Sequence, residues 1–321
     1  MNNATFINPV QEQILLVEER MRAQGNECHP DLRAALDHLL VAGGKRIRPT
    51  LGLLVGNMLG GKSDTLVTLG AAVELLHTAT LVHDDLIDGA LLRRGAETLN
   101  ARWSSAATVL TGDFLFARAA KLAAETDHLP LMVLFADTLA IIVNGELTQL
   151  FSARGVINRD NYYQRIYAKT ASLFEMSTQA AAMVTTDNTN TIETLRKFGY
   201  ELGMAFQIVD DLLDFTGEQA AVGKPLGSDL LQGLGTLPAI YYAETNPDHP
   251  DVRSLAAGGW GDHERMERLV QSIRGSEAIP KAMREAEQSV ERAIACLAPF
   301  EDCKERAALE DLAKYVVDRK I

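Results

Sequence analysis

Two short clusters of acids carry most of the chemistry open to this sequence. In Glu74–Gly95, ELLHTATLVHDDLIDGALLRRG, the acids Asp84, Asp85 and Asp88 close an apolar run that nothing breaks before Gly89, and Arg93 and Arg94 follow. The run predicts a helix ending near Asp88. Helical positions four apart lie almost above one another, so Asp84 and Asp88 share a face with His77 two turns earlier, while Asp85 is swung off it. Two carboxylates stacked at a helix C-terminus repel each other and oppose the macrodipole, an arrangement that calls for a cation. Hard oxygens at that spacing suit Mg²⁺, which takes one or two carboxylates and completes its shell with water and substrate phosphates.

Taken alone, a DDxxD is an ordinary solvated acidic turn. Here the pattern recurs in Phe206–Phe215, FQIVDDLLDF, with Asp210, Asp211 and Asp214 at the same offsets in helix-compatible sequence. The two copies could face each other across one cavity. Arg93 and Arg94 flank the first copy, and the guanidinium fork matches diphosphate oxygens. Lys45 and Arg48 stand three apart beyond a Gly43-Gly44 bend, able to clamp a phosphate but equally ordinary as loop charges. Lys169 and Thr170 fall inside IYAKTASLFEMSTQAAAM, where a cation in apolar surroundings calls for an anionic partner. Asn144–Gln149 is a polar break in an apolar helix, readable as a buried network or as a site wall. Gln207 lies one turn before Asp210 and Asp211, and Lys224 lies in a glycine-rich stretch after the second cluster.

The elements that must hold these residues are helical throughout. An amphipathic helix is expected over about residues 9 to 24, and Pro30 opens a second. Gly43-Gly44 stops it, and Pro49 lets the next begin. Stretches 101–125, 129–154, 158–185 and 191–217 are rich in Ala, Leu and Met with helical period. A short helix is expected from Ser228, and three polar amphipathic helices beyond Asn246. Gly56–Ser63, GNMLGGKS, satisfies the phosphate-loop pattern of a P-loop NTPase, with LVHDD as a partner motif. That reading needs a strand before it and β-α units after it, and the downstream sequence offers almost nothing strand-like.

At 321 residues the chain can bury a large core, and no composition shift splits it, so residues 1–321 are read as a single domain. Acids outnumber bases 43 to 31, for a net charge of −12 without a basic run, which argues against nucleic acid as a partner. Cys28, Cys296 and Cys303 show no metal spacing, as free thiols in a reducing compartment would. With no leader-like amino terminus and no stretch of ~18 uncharged apolar residues, a cytoplasmic protein without a membrane span is expected.

GGKRIRP, LVHDDLIDGALLRRG, GELTQL, YAKTA, and GMAFQIVDDLLDFTG followed by GKPLGSDL occur in the order and approximate spacing of the trans-isoprenyl diphosphate synthases, and the sequence resembles that family over about residues 35 to 240. The resemblance implies an all-α fold of antiparallel helices around a central cavity, usually as a homodimer. It also implies head-to-tail condensation of isopentenyl diphosphate onto an allylic diphosphate such as farnesyl diphosphate. On that reading Mg²⁺ is held by Asp84, Asp88 and Asp210 within the six motif aspartates. Arg93, Lys169 and Lys224 bind the allylic diphosphate. Lys45, Arg48, His77 and Arg94 hold isopentenyl diphosphate, and Thr170 and Gln207 stabilise the carbocation.

Short-chain relatives often carry an aromatic four or five residues before the first aspartate, where this chain has Thr80 and Ala79. With Leu76 these line the helix down which a growing product would run, and their small side chains imply a product beyond four isoprene units rather than a farnesyl or geranylgeranyl diphosphate. Such a product implies release into a membrane. One departure stands out. Leu234 occupies a place where many relatives have a lysine that contacts the allylic diphosphate. An inactive partner subunit would be another meaning, but all six aspartates are intact.

Overall fold

The computed structural model describes residues 5–26, 28–41, 43–93, 95–152, 158–217 and 226–319. As expected, the fold is all-α. Among the described residues the only strands are the two-residue β1 (Leu92–Arg93) and β2 (Ala96–Glu97), paired antiparallel with Arg93 opposite Ala96. The chain divides into two compact units, Met1–Asp137 with Met176–Leu195 and Phe300–Leu309, and Thr138–Glu175 with Arg196–Pro299 and Glu310–Ile321.

The first unit is built on α4 (Ser63–Ile87), with α1 (Gln11–Ala23), α2 (Pro30–Val41) and α3 (Ile47–Met58) before it and α5 (Leu99–Arg102) and α6 (Ser105–Ala124) after it. Buried residues recur around the whole of α4 from Leu66 to Val82, as they must in a helix with α1, α3 and α6 packed against it. Asp88 caps it, and Gly89 takes a positive φ of 63°. The Ala90 N–H then reaches the Asp85 carbonyl and the Gly89 N–H that of Leu86, a Schellman closure that fixes where the acidic end stops.

The phosphate-loop reading of Gly56–Ser63 is excluded, because Gly56 is a buried residue within α3 and Lys62 precedes α4 directly, with no strand before the loop. The stretch expected as one helix over 101–125 breaks at Trp103 and restarts at Ser104, whose hydroxyl accepts the Ala107 N–H. Two helices, α4 and α7 (Leu129–Ser152), are long and apolar enough to cross a membrane. Most of the apolar span of α4 is buried (78 %), whereas that of α7 is mainly exposed (22 % buried).

The second unit centres on α10 (Thr189–Thr216). Its buried residues Met204, Ile208, Leu212 and Phe215 join a core with Tyr162 and Ile166 of α8 (Arg159–Ile166). Beyond α10 come a single turn, α11 (Ser228–Leu231), and α12 (Leu237–Thr245). Four helices follow where three were expected: α13 (Pro250–Ala256), α14 (His263–Arg274), α15 (Ala278–Leu297) and α16 (Lys304–Val317). The stretch expected as one helix over 158–185 is α8, a π-helical turn over Tyr167–Ala171, and α9 (Ser172–Met183). Beside that turn, a Cβ on Gly203 of α10 would lie 2.6 Å from the Ala171 Cα, so only glycine lets the two backbones approach this closely.

Candidate active site

In the first unit the pentad at the end of α4 is divided by burial. Asp84 is partly buried, Asp88 is exposed, and Asp85 is buried and accepts the Arg93 Nε–H at 2.8 Å. The β1–β2 ribbon thus folds Arg93 back onto the pentad, and Asp85 acts as its anchor rather than sharing the face of the other two. Arg94 lies outside the described residues.

Arg48 and His77, predicted from separate motifs, are brought together, with Arg48 Nη1 3.1 Å from His77 Nε2. Lys45 is exposed. Sequence reasoning missed Arg46 between them. Its guanidinium is buried and bonds Glu18 (3.0 Å), Glu74 (2.9 Å) and the Leu40 carbonyl (3.3 Å). Burial alone would lower its pKa, and Glu74 and then Glu18 more than offset this, so the net shift is upward. A cavity of about 60 Å³ opens beside Arg46, Glu74, His77, Asp85 and Arg93.

In the second unit each aspartate of the pentad has its own partners. Asp210 Oδ1 accepts from Arg319 Nη1 at 2.6 Å, and that guanidinium also reaches the Phe206 carbonyl (2.9 Å) and lies 4.0 Å from the Phe206 ring centroid. Asp211 is 4 % exposed and accepts from Tyr162 Oη (2.7 Å) and Gln207 Nε2 (2.8 Å). Burial first, and then the Asp229 carboxylate, push its pKa up to about 7 against the lowering by those two hydrogen bonds. Asp214 accepts the Ser228 and Asp229 backbone N–H groups (both 3.1 Å) and the Ser228 hydroxyl (2.8 Å), tying α10 to α11.

Thr170 and Gln207 meet, with the Thr170 hydroxyl donating to Gln207 Oε1 at 2.5 Å. Lys169 next to Thr170 is exposed rather than enclosed, and its anionic partner is Glu146 at 2.8 Å. The polar break of α7 is a cavity wall. Asn144, Gly145, Thr148 and Gln149 line about 300 Å³ together with Tyr162 and Arg165. Leu234 is partly buried, and its N–H bonds the Asp229 carbonyl. Lys224 lies outside the described residues. Leu76 and Ala79 are fully buried in α4, and the Thr80 hydroxyl bonds the His77 carbonyl.

Among the described residues no three His, Cys, Asp or Glu side chains form a closed metal cage. The donor set fits a hard divalent cation that draws its other ligands from water and substrate, for which one or two carboxylates suffice. A guanidinium already occupies Asp210 as a cation would.

A family model described as polyprenyl synthetase matches residues 29–273. The chain belongs to the polyprenyl synthetase family. It is thus an enzyme of the prenyl-transferring class, similar to the octaprenyl diphosphate synthase of Haemophilus influenzae (33 % identity, covering 94 % of this chain and 93 % of that one). It is also similar to the geranyl-diphosphate-specific all-trans-nonaprenyl-diphosphate synthase of Rhodobacter capsulatus (38 % identity, 88 % and 87 %). Among polyprenyl synthetases of known structure, that of Caulobacter crescentus, complexed with calcium and isoprenyl diphosphate, superposes with a TM-score of 0.90 at 34 % identity over 98 % of this chain and 97 % of that one.

Proposed function

We propose that this polyprenyl synthetase condenses isopentenyl diphosphate head to tail with an allylic diphosphate such as farnesyl diphosphate, giving a long-chain trans-polyprenyl diphosphate. The observation that carries this reading is the duplicated acid pentad in a chain of this family, each copy with an arginine bonded to it. The two units are taken to work as one catalytic domain over residues 1–321.

Asp84, Asp88 and Asp210 would hold Mg²⁺, which supplies charge neutralisation to the leaving diphosphate. Arg93, Lys169 and Lys224 bind the allylic diphosphate, and Lys45, Arg48, His77 and Arg94 hold isopentenyl diphosphate. Breaking the allylic C–O bond leaves a carbocation beside the side-chain oxygens of Thr170 and Gln207, whose dipoles favour positive charge. The isopentenyl double bond attacks it, a C–C bond forms, and the proton lost from the neighbouring carbon passes to the departed diphosphate. No side-chain base is needed.

Long product length is supported by the small Ala79 and Thr80 on α4 and by the octaprenyl and nonaprenyl products in the names of the relatives. The exposed apolar face of α7 supports a homodimer, and the three free thiols suit a reducing cytoplasm. A product of this length would be released into a membrane.

Incubation with isopentenyl and farnesyl diphosphates and Mg²⁺, followed by product chromatography, tests the reading. Condensation should fall at least about a hundredfold in Asp84→Asn. Wild-type turnover by that variant would remove Asp84 from the ligand set.

A further inference from the structure

Tyr162 is 1 % exposed, and its ring packs in the core of the second unit, where a phenylalanine would pack as well. Its hydroxyl donates to Asp211 Oδ2 (2.7 Å), and the other oxygen of that carboxylate accepts from Gln207 Nε2 (2.8 Å). The far end of the same amide accepts from the Thr170 hydroxyl (2.5 Å). Both Asp211 oxygens accept here, one from the Tyr162 hydroxyl and the other from the amide, and an accepting oxygen holds only the NH₂ end of a neighbouring amide. With Asp211 at one end, the Gln207 oxygen is turned toward Thr170, and the reversed amide would set oxygen against oxygen at Asp211.

The two ends of an amide carry opposite partial charges. An oxygen turned toward a developing carbocation stabilises it, whereas the NH₂ end in the same place would oppose it. A buried carboxylate is costly to keep in a core, and its buried tyrosine partner adds nothing to packing that a phenylalanine would lack. We propose that Tyr162 and Asp211 are positioning residues: through their hydrogen bonds they hold the Gln207 amide with its oxygen beside that of Thr170, ready for the allylic cation. This inference rests on the prenyl-transfer reading above. It separates Asp211 from Asp210 in role, one orienting a dipole and the other serving as a metal ligand.

The test is Tyr162→Phe in the full chain, measured with isopentenyl and farnesyl diphosphates. We expect kcat to fall about tenfold or more, with KM for both diphosphates and the half-saturating Mg²⁺ concentration changed by less than twofold. On a Gln207→Leu background the same substitution should cost less than a further twofold, because the group it positions is gone. Wild-type kcat in Tyr162→Phe, or losses that multiply in the double variant, would overturn the proposal. The side-chain NH₂ resonances of Gln207, recorded without substrate, should shift in Tyr162→Phe and stay in place when a tyrosine outside this relay is changed, as in Tyr241→Phe, whose hydroxyl donates to Glu285. Unmoved resonances would likewise overturn it. If the wild-type chain does not condense these substrates, the prenyl-transfer reading falls, and the Gln207 resonances then decide the hydrogen-bonded relay by themselves.

Discussion

Arg46 occupies a left-handed backbone position (φ 47°), which costs a non-glycine residue of order 1 kcal/mol. Its side chain offsets that cost by serving two carboxylates, of which Glu74 is itself buried. Arg46→Ala would leave Glu74 charged and unpaired in the core, so a loss of about 3–5 kcal/mol is expected in denaturant unfolding. Arg46→Met with Glu74→Leu should recover much of it, and a loss below ~1 kcal/mol in the single variant would contradict the role assigned here. The motif GGKRIRP displays three cations, but the sequence does not say which one turns inward. That depends on the backbone conformation at Arg46 and on Glu18 and Glu74, each 28 positions away. For the same reason Tyr162 and Arg319 were invisible as partners of Asp211 and Asp210, since nothing local to either residue points at an acid far along the chain. What could be read was chemistry with a period. The stacking of Asp84 on Asp88, and the placing of Gln207 one turn from Asp211, follow from helical geometry alone.

At the scale of elements, α4 is legible end to end, because its apolar residues, Gly89 stop and acids are all local signals. It also carries the clearest element-level prediction. Ala79 is completely buried one turn before the pentad, so a phenylalanine there would project a ring into whatever space the helix borders. Ala79→Phe should shorten the product by one or more isoprene units on chromatography, with the folded state retained. An unchanged product length would take Ala79 out of the path of the growing chain. The sequence gives less warning of the π-helical turn at Tyr167–Ala171. No residue in the turn breaks a helix, and at its end Ala171 lies against Gly203 of α10, a contact that the sequence of the turn does not reveal. Within that turn Lys169 is exposed while Thr170 is buried against Gln207.

At the scale of the molecule, the apolar surface left uncovered carries the argument. In the first unit Val109, Leu110, Leu129 and Val133 are exposed, and in the second Val143, Leu147, Leu150 and Phe151 are exposed along α7. Scattered single apolar residues need no explanation, but a helix of more than 20 residues that is apolar and mostly uncovered needs a partner. Two occupants have the right chemistry, a second copy of the chain and a lipid surface. A twofold contact would bury each such helix against its mate, and stable dimers bury on the order of 1,600 Å² in total, an area that two long helices facing each other can supply. Glutamates on the exposed face of α7, Leu129→Glu with Val133→Glu, would place buried, uncompensated charges across that contact twice over. Sedimentation at micromolar concentration should therefore give a dimer for the wild type and a monomer for the double variant. A monomeric wild type that co-sediments with lipid vesicles would instead assign the face to the membrane, and a dimer undisturbed by both glutamates would place the contact elsewhere.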